Sequence, residues 1–203
     1  MRNSFTIIQG GMGVGVSDWR LARAVAQLGQ LGVVSGTALD EVFARRLQDG
    51  DPGGNMRRGL DAFPFKKMAE RVWTKYFVPG GKAPDGPYQR FPMHTCDGPA
   101  ERRELCIVAN FVEIALAREG HENPVGVNYL EKVQIPHLPS LYGAMLAGAA
   151  YVLMGAGIPL RIPGVLDCLA QHQPASYPVH VAGGEKAGDF AITFTPRDYM
   201  ETD

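Results

Sequence analysis

The chain has 203 residues, 45% of them hydrophobic and 20% charged, with a formal net charge of −1. That length suffices for one sizeable core and the balance is that of an ordinary soluble domain. The near-zero charge excludes an electrostatic case for nucleic acid or an anionic membrane surface. Three cysteines, Cys96, Cys106 and Cys168, form no C-x-x-C pair. Their odd number suits a reducing cytoplasm better than a disulfide framework. The first residues lead straight into a strand pattern without an apolar signal region, and no apolar run approaches the roughly 20 residues of a membrane span.

In chain order, Phe5–Gln9 has strand character and runs into a loop with glycine at 10, 11, 13 and 15. Ser17 and Asp18 then open an amphipathic helix to about Leu28, with Leu21, Ala22, Val25 and Leu28 on one stripe. Leu31–Ser35 is a buried strand. Strand, helix and strand within about 30 residues make a βαβ unit. The glycine loop lies at the carboxyl end of its strand, where α/β folds hold ligands. Glycines permit φ > 0 and let a flat or anionic ligand approach without meeting a Cβ. A tight strand-to-helix turn is the plain alternative, but a bare turn needs one glycine rather than four. Val16 occupies the third position of the dinucleotide fingerprint, and the next strand ends Val34-Ser35-Gly36 without an acidic residue. That fingerprint therefore fails, and no P-loop is present.

Leu39–Leu47 reads as a short helix, 48–55 as a loop and Phe65–Tyr76 as a helix. The stretch 78–99 is dense in Gly and Pro without a clear period, a surface excursion or a lid. Glu101–Glu119 is the clearest helix, with Leu105, Val108, Val112, Ala115 and Leu116 at helical spacing. Pro124–Leu130 is a third strand, Pro139–Gly148 a small-residue helix, Tyr151–Met154 a fourth strand and Pro163–His172 a helix. Tyr177–Val181 is a fifth strand. After a turn at 183–189, Phe190–Phe194 pairs back as a hairpin or forms an edge strand. Alternating strands and helices predict an α/β fold with parallel strands.

Asn128 stands in a strand that otherwise reads as core. A buried amide without a partner costs on the order of 1–3 kcal/mol. Near a strand's carboxyl end its partner is either a ligand or a neighbouring loop. Gly155-Ala156-Gly157 repeats the opening motif in miniature, and both glycine loops fall on the same rim. Met93-His94-Thr95-Cys96 places only two soft ligands close together and reads as an ordinary loop, so no metal site is expected. His121 follows a helix end and reads as solvated. His137 precedes a helix and could face a ligand, His172 suits a helix C-terminus, and His180 points from a sheet face. No nucleophile elbow and no catalytic carboxylate pair is supported by spacing, so no catalytic residue is assigned.

The ordered set Ile7–Gly13, Leu31–Ser35, Pro124–Asn128 and Val152–Pro159 resembles the nitronate monooxygenase (2-nitropropane dioxygenase-like) family of FMN-dependent TIM barrels. The related FMN-dependent enoyl-acyl-carrier-protein reductases share the pattern. The resemblance runs from about residue 5 to 182, broken by an insertion at about 36–100. It implies an incomplete (β/α)8 barrel, about the first five βα units in one domain over 1–203, with FMN at the carboxyl rim. By it, Gly10, Gly11, Met12 and Gly13 border the flavin ring, Asn128 hydrogen-bonds it, and Gly155 and Gly157 belong to the same rim. The family's phosphate-gripping glycine loops and its histidine base, both from the later half of the barrel, have no counterpart here. The implied partners are a small-molecule substrate and the missing half of the barrel. The implied reaction is oxidation of alkyl nitronates with O2. The alternatives are NAD(P)H-dependent enoyl-thioester reduction and a non-catalytic flavin- or ligand-binding remnant.

Overall fold

The computed structural model describes residues 5–181 and 190–200. It is an α/β structure centred on a three-stranded parallel sheet, β1 (Gly32–Ser35), β2 (Val125–Leu130) and β3 (Tyr151–Gly155), in that spatial order. Around it lie α1 (Trp19–Gln27), α2 (Leu39–Gln48), α3 (Asn55–Asp61), α4 (Lys66–Tyr76), α5 (Ala100–Arg118), α6 (His137–Leu146) and α7 (Ile162–Ala170). β4 (Ala175–Pro178) and β5 (Ala191–Phe194) form a separate antiparallel pair.

The first expected strand is reduced to a single parallel bridge, Ile8 with Leu31. Leu31 N–H donates to the Ile7 carbonyl at 3.1 Å and Gln9 N–H to the Leu31 carbonyl at 3.0 Å. The next rung is made by a side chain: Val33 N–H donates to Gln9 Oε1 at 2.9 Å. Gln9 thus extends the ladder by one step while the backbone already turns into the glycine loop. The segment still lies beside β1 and parallel to it, so the loops after Gln9, β1, β2 and β3 share one rim.

The expected fifth parallel strand is corrected. β4 pairs with β5, Ala175 opposite Phe194 through Pro178 opposite Ala191, and not with β3. Apolar packing fixes this hairpin: Phe194 lies 5.5 Å from the Tyr142 ring and Tyr177 lies edge-on to His137 at 5.4 Å, both on α6. The turn expected at 183–189 lies outside the described residues. Among the described residues no closed barrel is present, and β3 has no strand on its far side.

α5 departs from the simple amphipathic helix expected. Its buried residues go all round, Arg102, Asn110 and Glu113 included. A crossover helix normally keeps one wet face; here α2, α3 and α4 cover that face, and α1 and α6 pack on the others. The insertion therefore encloses a helix rather than projecting from the surface. α3 itself is an element that composition concealed. Asp51 starts it by accepting from Met56 N–H and Arg57 N–H at 2.9 Å each. No described helix is long and apolar enough to cross a membrane.

Candidate functional site

Two clusters occupy the rim. The inner one joins four residues singled out in the sequence. Asn128 Nδ2 donates to the Gly10 carbonyl at 2.6 Å and faces Met12 Sδ at 3.0 Å. Because a carbonyl only accepts, this bond fixes which end of the amide is nitrogen. Asn128 Oδ1 is then left buried without a hydrogen-bond partner. Gly155 completes the group, since a Cβ built on it would lie 3.5 Å from Met12 Cε and 3.6 Å from Asn128 Oδ1. Met12 drapes across this amide yet is 60% exposed, so a guest need only move a flexible thioether to reach Oδ1.

The other three residues have different work. Gly11 has φ +63°, and a Cβ there would stand 2.6 Å from Val33 Cγ1 and 2.9 Å from the Val33 carbonyl. It is a packing glycine. The Gly13 carbonyl accepts from Val16 and Ser17 at 3.1 and 2.8 Å, closing the turn that lays the Ser17 carbonyl on Ser35 N–H. Gly157 lies against Glu131, whose Oε2 a Cβ would approach to 2.5 Å, away from Asn128. Ala156 between the rim glycines is held at φ +62°. A side chain in that region costs roughly 1–2 kcal/mol, and such strain clusters in ligand-binding loops.

The outer cluster brings together residues that spacing in the sequence keeps apart. His94, expected in an ordinary loop, meets Asp40 at the start of α2 and Cys106 in α5. His94 Nε2–H donates to Asp40 Oδ2 at 2.8 Å, the Cys106 thiol lies 3.4 Å from the same oxygen, and Arg102 Nη2 forms an ion pair with it at 2.9 Å. Asp40, His94 and Cys106 present ligand atoms within 4.8 Å of one another, so spacing alone misjudged this loop as remote from any third ligand. The partner of His94 is Cys106, not the exposed Cys96. The guanidinium on Asp40 supplies the positive charge that a metal would otherwise bring. Burial, with the Asp40 charge beside it, pushes the Cys106 thiol well up, which keeps it a hydrogen-bond donor.

Burial raises the Asp40 carboxyl, but the His94 hydrogen bond and the charges of Arg102 and His94 outweigh it and leave it below 3.8. A folded pKa below the unfolded one contributes stability that is complete above the unfolded value and drains away as pH falls through the folded value. Acid should therefore weaken this cluster. Urea denaturation between about pH 5 and about pH 2 should show a shallower acid limb for Asp40→Asn than for the parent chain. Parallel limbs would mean that Asp40 gains nothing from its partners.

The histidines are placed differently from their sequence readings. His121 is part-buried, with Nε2–H on the Ala117 carbonyl at 2.8 Å, rather than solvated. His137 is the first residue of α6, 2% exposed, and donates Nε2–H to the Leu130 carbonyl at 3.0 Å. Its Nδ1 has no partner, and burial holds its pKa below 6.5. His172 accepts from the Tyr142 hydroxyl at 3.0 Å through Nδ1. His180 follows β4, outside any strand, with its N–H on Gln134 Oε1.

Between the outer cluster and the loop after β2 lies a cavity of about 490 Å³. That is within the range of small-molecule sites. Comparison with protein families, with curated proteins and with solved structures yields no match.

Proposed function

We propose that the inner cluster is one wall of a flavin site in an incomplete (β/α)8 barrel, and that the chemistry is FMN-dependent oxidation of alkyl nitronates with O2. The observation that carries this reading is Asn128 Oδ1. A buried acceptor without a donor costs about 1–3 kcal/mol, and a flavin ring brings an imide N–H of the kind it lacks. Gly10 and Gly155 support the same reading by subtraction. A Cβ on Gly10 would meet only Met12 Cγ at 3.8 Å, and one on Gly155 would make ordinary contacts. Neither has a positive φ. The fold does not require glycine at either place, whereas a flat ring passing close to the backbone does.

The open sheet supports the larger architecture. β3 has an unpaired edge among the described residues, and Ile7, Ile8, Ile158 and Leu160 are exposed beside the sheet and its rim. Unpaired edges and clustered apolar side chains are what further strands of a barrel cover. When bound, FMN supplies the redox step, while Asn128, Gly10, Met12 and Gly155 orient its ring. No residue of the inner cluster offers an acid–base group, so the chain contributes positioning and excludes water on this side. With one wall in place, the 203-residue chain should purify with less than one flavin per chain.

The test is quenching of FMN fluorescence. Saturable quenching by the chain, weakened about tenfold in Asn128→Ala, is the expected result. No saturation at about 1 mM chain would sink the flavin reading. Oxygen uptake with an alkyl nitronate, set against NADPH consumption with an enoyl thioester, then separates the two reactions that share this scaffold. The 203-residue chain alone should show neither turnover; flavin binding without turnover even after the missing half of the barrel is supplied would identify a non-catalytic binding module.

A further inference from the structure

The outer cavity is lined by none of the residues of the inner cluster. It opens where the carboxyl ends of β1 and β2 give way to the segments Gly36–Glu41 and Leu130–His137. Phe91, Met93, Val133 and Ile135 give it apolar walls, and Arg102 borders it. Arg102 is 5% exposed, an uncommon state for a permanent cation. One of its nitrogens, Nη2, is shared by Asp40 at 2.9 Å and Glu41 at 3.9 Å. Its Nε and Nη1 are buried with no hydrogen-bond partner. The guanidinium also lies over the Phe91 ring, 5.1 Å from its centroid, which fixes its plane. Lys132 adds a second cation to the lining, against the carboxylates of Asp40 and Glu41.

Buried guanidinium donors left unpaired call for an acceptor, and the one best matched to them is an oxyanion. The walls around it are carbon. We propose that this cavity binds a small organic carboxylate, its apolar body against Met93, Val133 and Ile135 and its head reaching the buried, unused donors of Arg102 once the Phe91 ring that lies over the guanidinium swings aside. Asp40 holds the guanidinium in place from the opposite side, and the His94 and Cys106 hydrogen bonds hold Asp40. The cluster that resembles a metal centre is, in this account, the support of an anion receptor.

The experiment titrates the 203-residue chain, without flavin, with hexanoate, hexanol, inorganic phosphate and Zn²⁺, followed by calorimetry and amide NMR shifts. Hexanoate should bind at one site, at least about tenfold more tightly than hexanol or phosphate. Shifts should concentrate in 91–94, 102 and 132–137. Arg102→Lys keeps a cation for Asp40 but loses the guanidinium's extra donors, and should weaken hexanoate about tenfold. Because a buried substitution in α5 can disturb folding, Val133→Glu is the second variant. Val133 is 41% exposed, so the fold should be unaffected, while the added carboxylate repels the guest and should also weaken hexanoate about tenfold. Equal binding of hexanol, tighter binding of phosphate, or no hexanoate binding would each overturn the proposal. So would stoichiometric Zn²⁺ binding abolished by Cys106→Ser, which would make the cluster a metal centre.

Discussion

Gly11→Ala should lower the stability of the chain by about 3 kcal/mol, whereas Gly10→Ala, one residue earlier, should leave it within about 0.5 kcal/mol. The two glycines are neighbours in one loop, but the fold uses only one of them. Gly11 sits at φ +63°, where any Cβ costs roughly 1–2 kcal/mol by itself. The same Cβ would stand 2.6 Å from Val33 Cγ1, 2.9 Å from the Val33 carbonyl and 3.0 Å from the Val34 carbonyl. Two of these are backbone atoms of β1 and have little freedom to retreat, so overpacking of about 1–3 kcal/mol adds to the strain. At Gly10 a Cβ would meet only Cγ of the exposed Met12 at 3.8 Å. Urea denaturation measures the first effect. The second variant should fold normally but quench FMN fluorescence several-fold less tightly, because its methyl group stands in the path of the ring. Equal stability losses at the two positions would remove the distinction between a packing glycine and a ligand-facing one.

The same contrast explains what was legible in the sequence. The glycine loop, Asn128 and Gly155 could be placed on one rim because each stands near or just past the carboxyl end of a parallel strand, and strand direction alone puts such ends together. Periodicity located α1, α2, α4, α5, α6 and α7 to within a few residues. It failed at α3, whose sequence Asn55-Met56-Arg57-Arg58-Gly59 looks like a loop; the usable signal was Asp51, a carboxylate placed to cap two amides. It left Phe190–Phe194 open between a hairpin and an edge strand, since a short apolar strand reads the same whether its neighbour is parallel or antiparallel; the hairpin with β4 is what forms. The outer cluster was hidden for another reason. His94 and Asp40 are separated by 54 residues, and Cys106 and Asp40 by 66. No local spacing encodes that meeting. It depends on the excursion crossing back over α2, which its own anchors secure: Val78 N–H on the Leu47 carbonyl, Gln89 N–H on Gln48 Oε1 and the Tyr88 hydroxyl on Asp49. A stretch that reads as a loose excursion is therefore the strap that builds one wall of the outer cavity.

Arg46→Met should cost about 3–5 kcal/mol at neutral pH, and the loss should shrink as the pH is lowered. Glu113, in the middle of α5, is 1% exposed and accepts from Arg46 Nη1 at 2.6 Å and from Trp19 N–H, the first amide of α1, at 2.9 Å. Arg46 also reaches Asp18, the N-cap of α1, at 3.4 Å. One arginine thus ties α1, α2 and α5 together beneath the rim loops that carry Gly10–Ser17 and Gly36–Ala38. Burial lifts the Glu113 carboxyl above 4.5, although the Arg46 charge and the Trp19 hydrogen bond pull it down. Removing Arg46 takes away the larger of those two opposing effects, so the folded pKa rises further. A carboxyl with a raised folded pKa favours the native state below its unfolded pKa and loses that contribution as pH climbs through the folded value. The variant's deficit should therefore be largest above the raised pKa and should fall on approach to about 4.5. Glu113→Gln should rescue it at neutral pH: the neutral amide still offers Trp19 an acceptor, and no charge is left buried and alone. The double variant should then be more stable than Arg46→Met by itself, a coupling of about 1–3 kcal/mol in a double-mutant cycle. If the double variant were no better than the single one, Arg46 would be acting through its packing on α1 and α5 and not through the charge of Glu113.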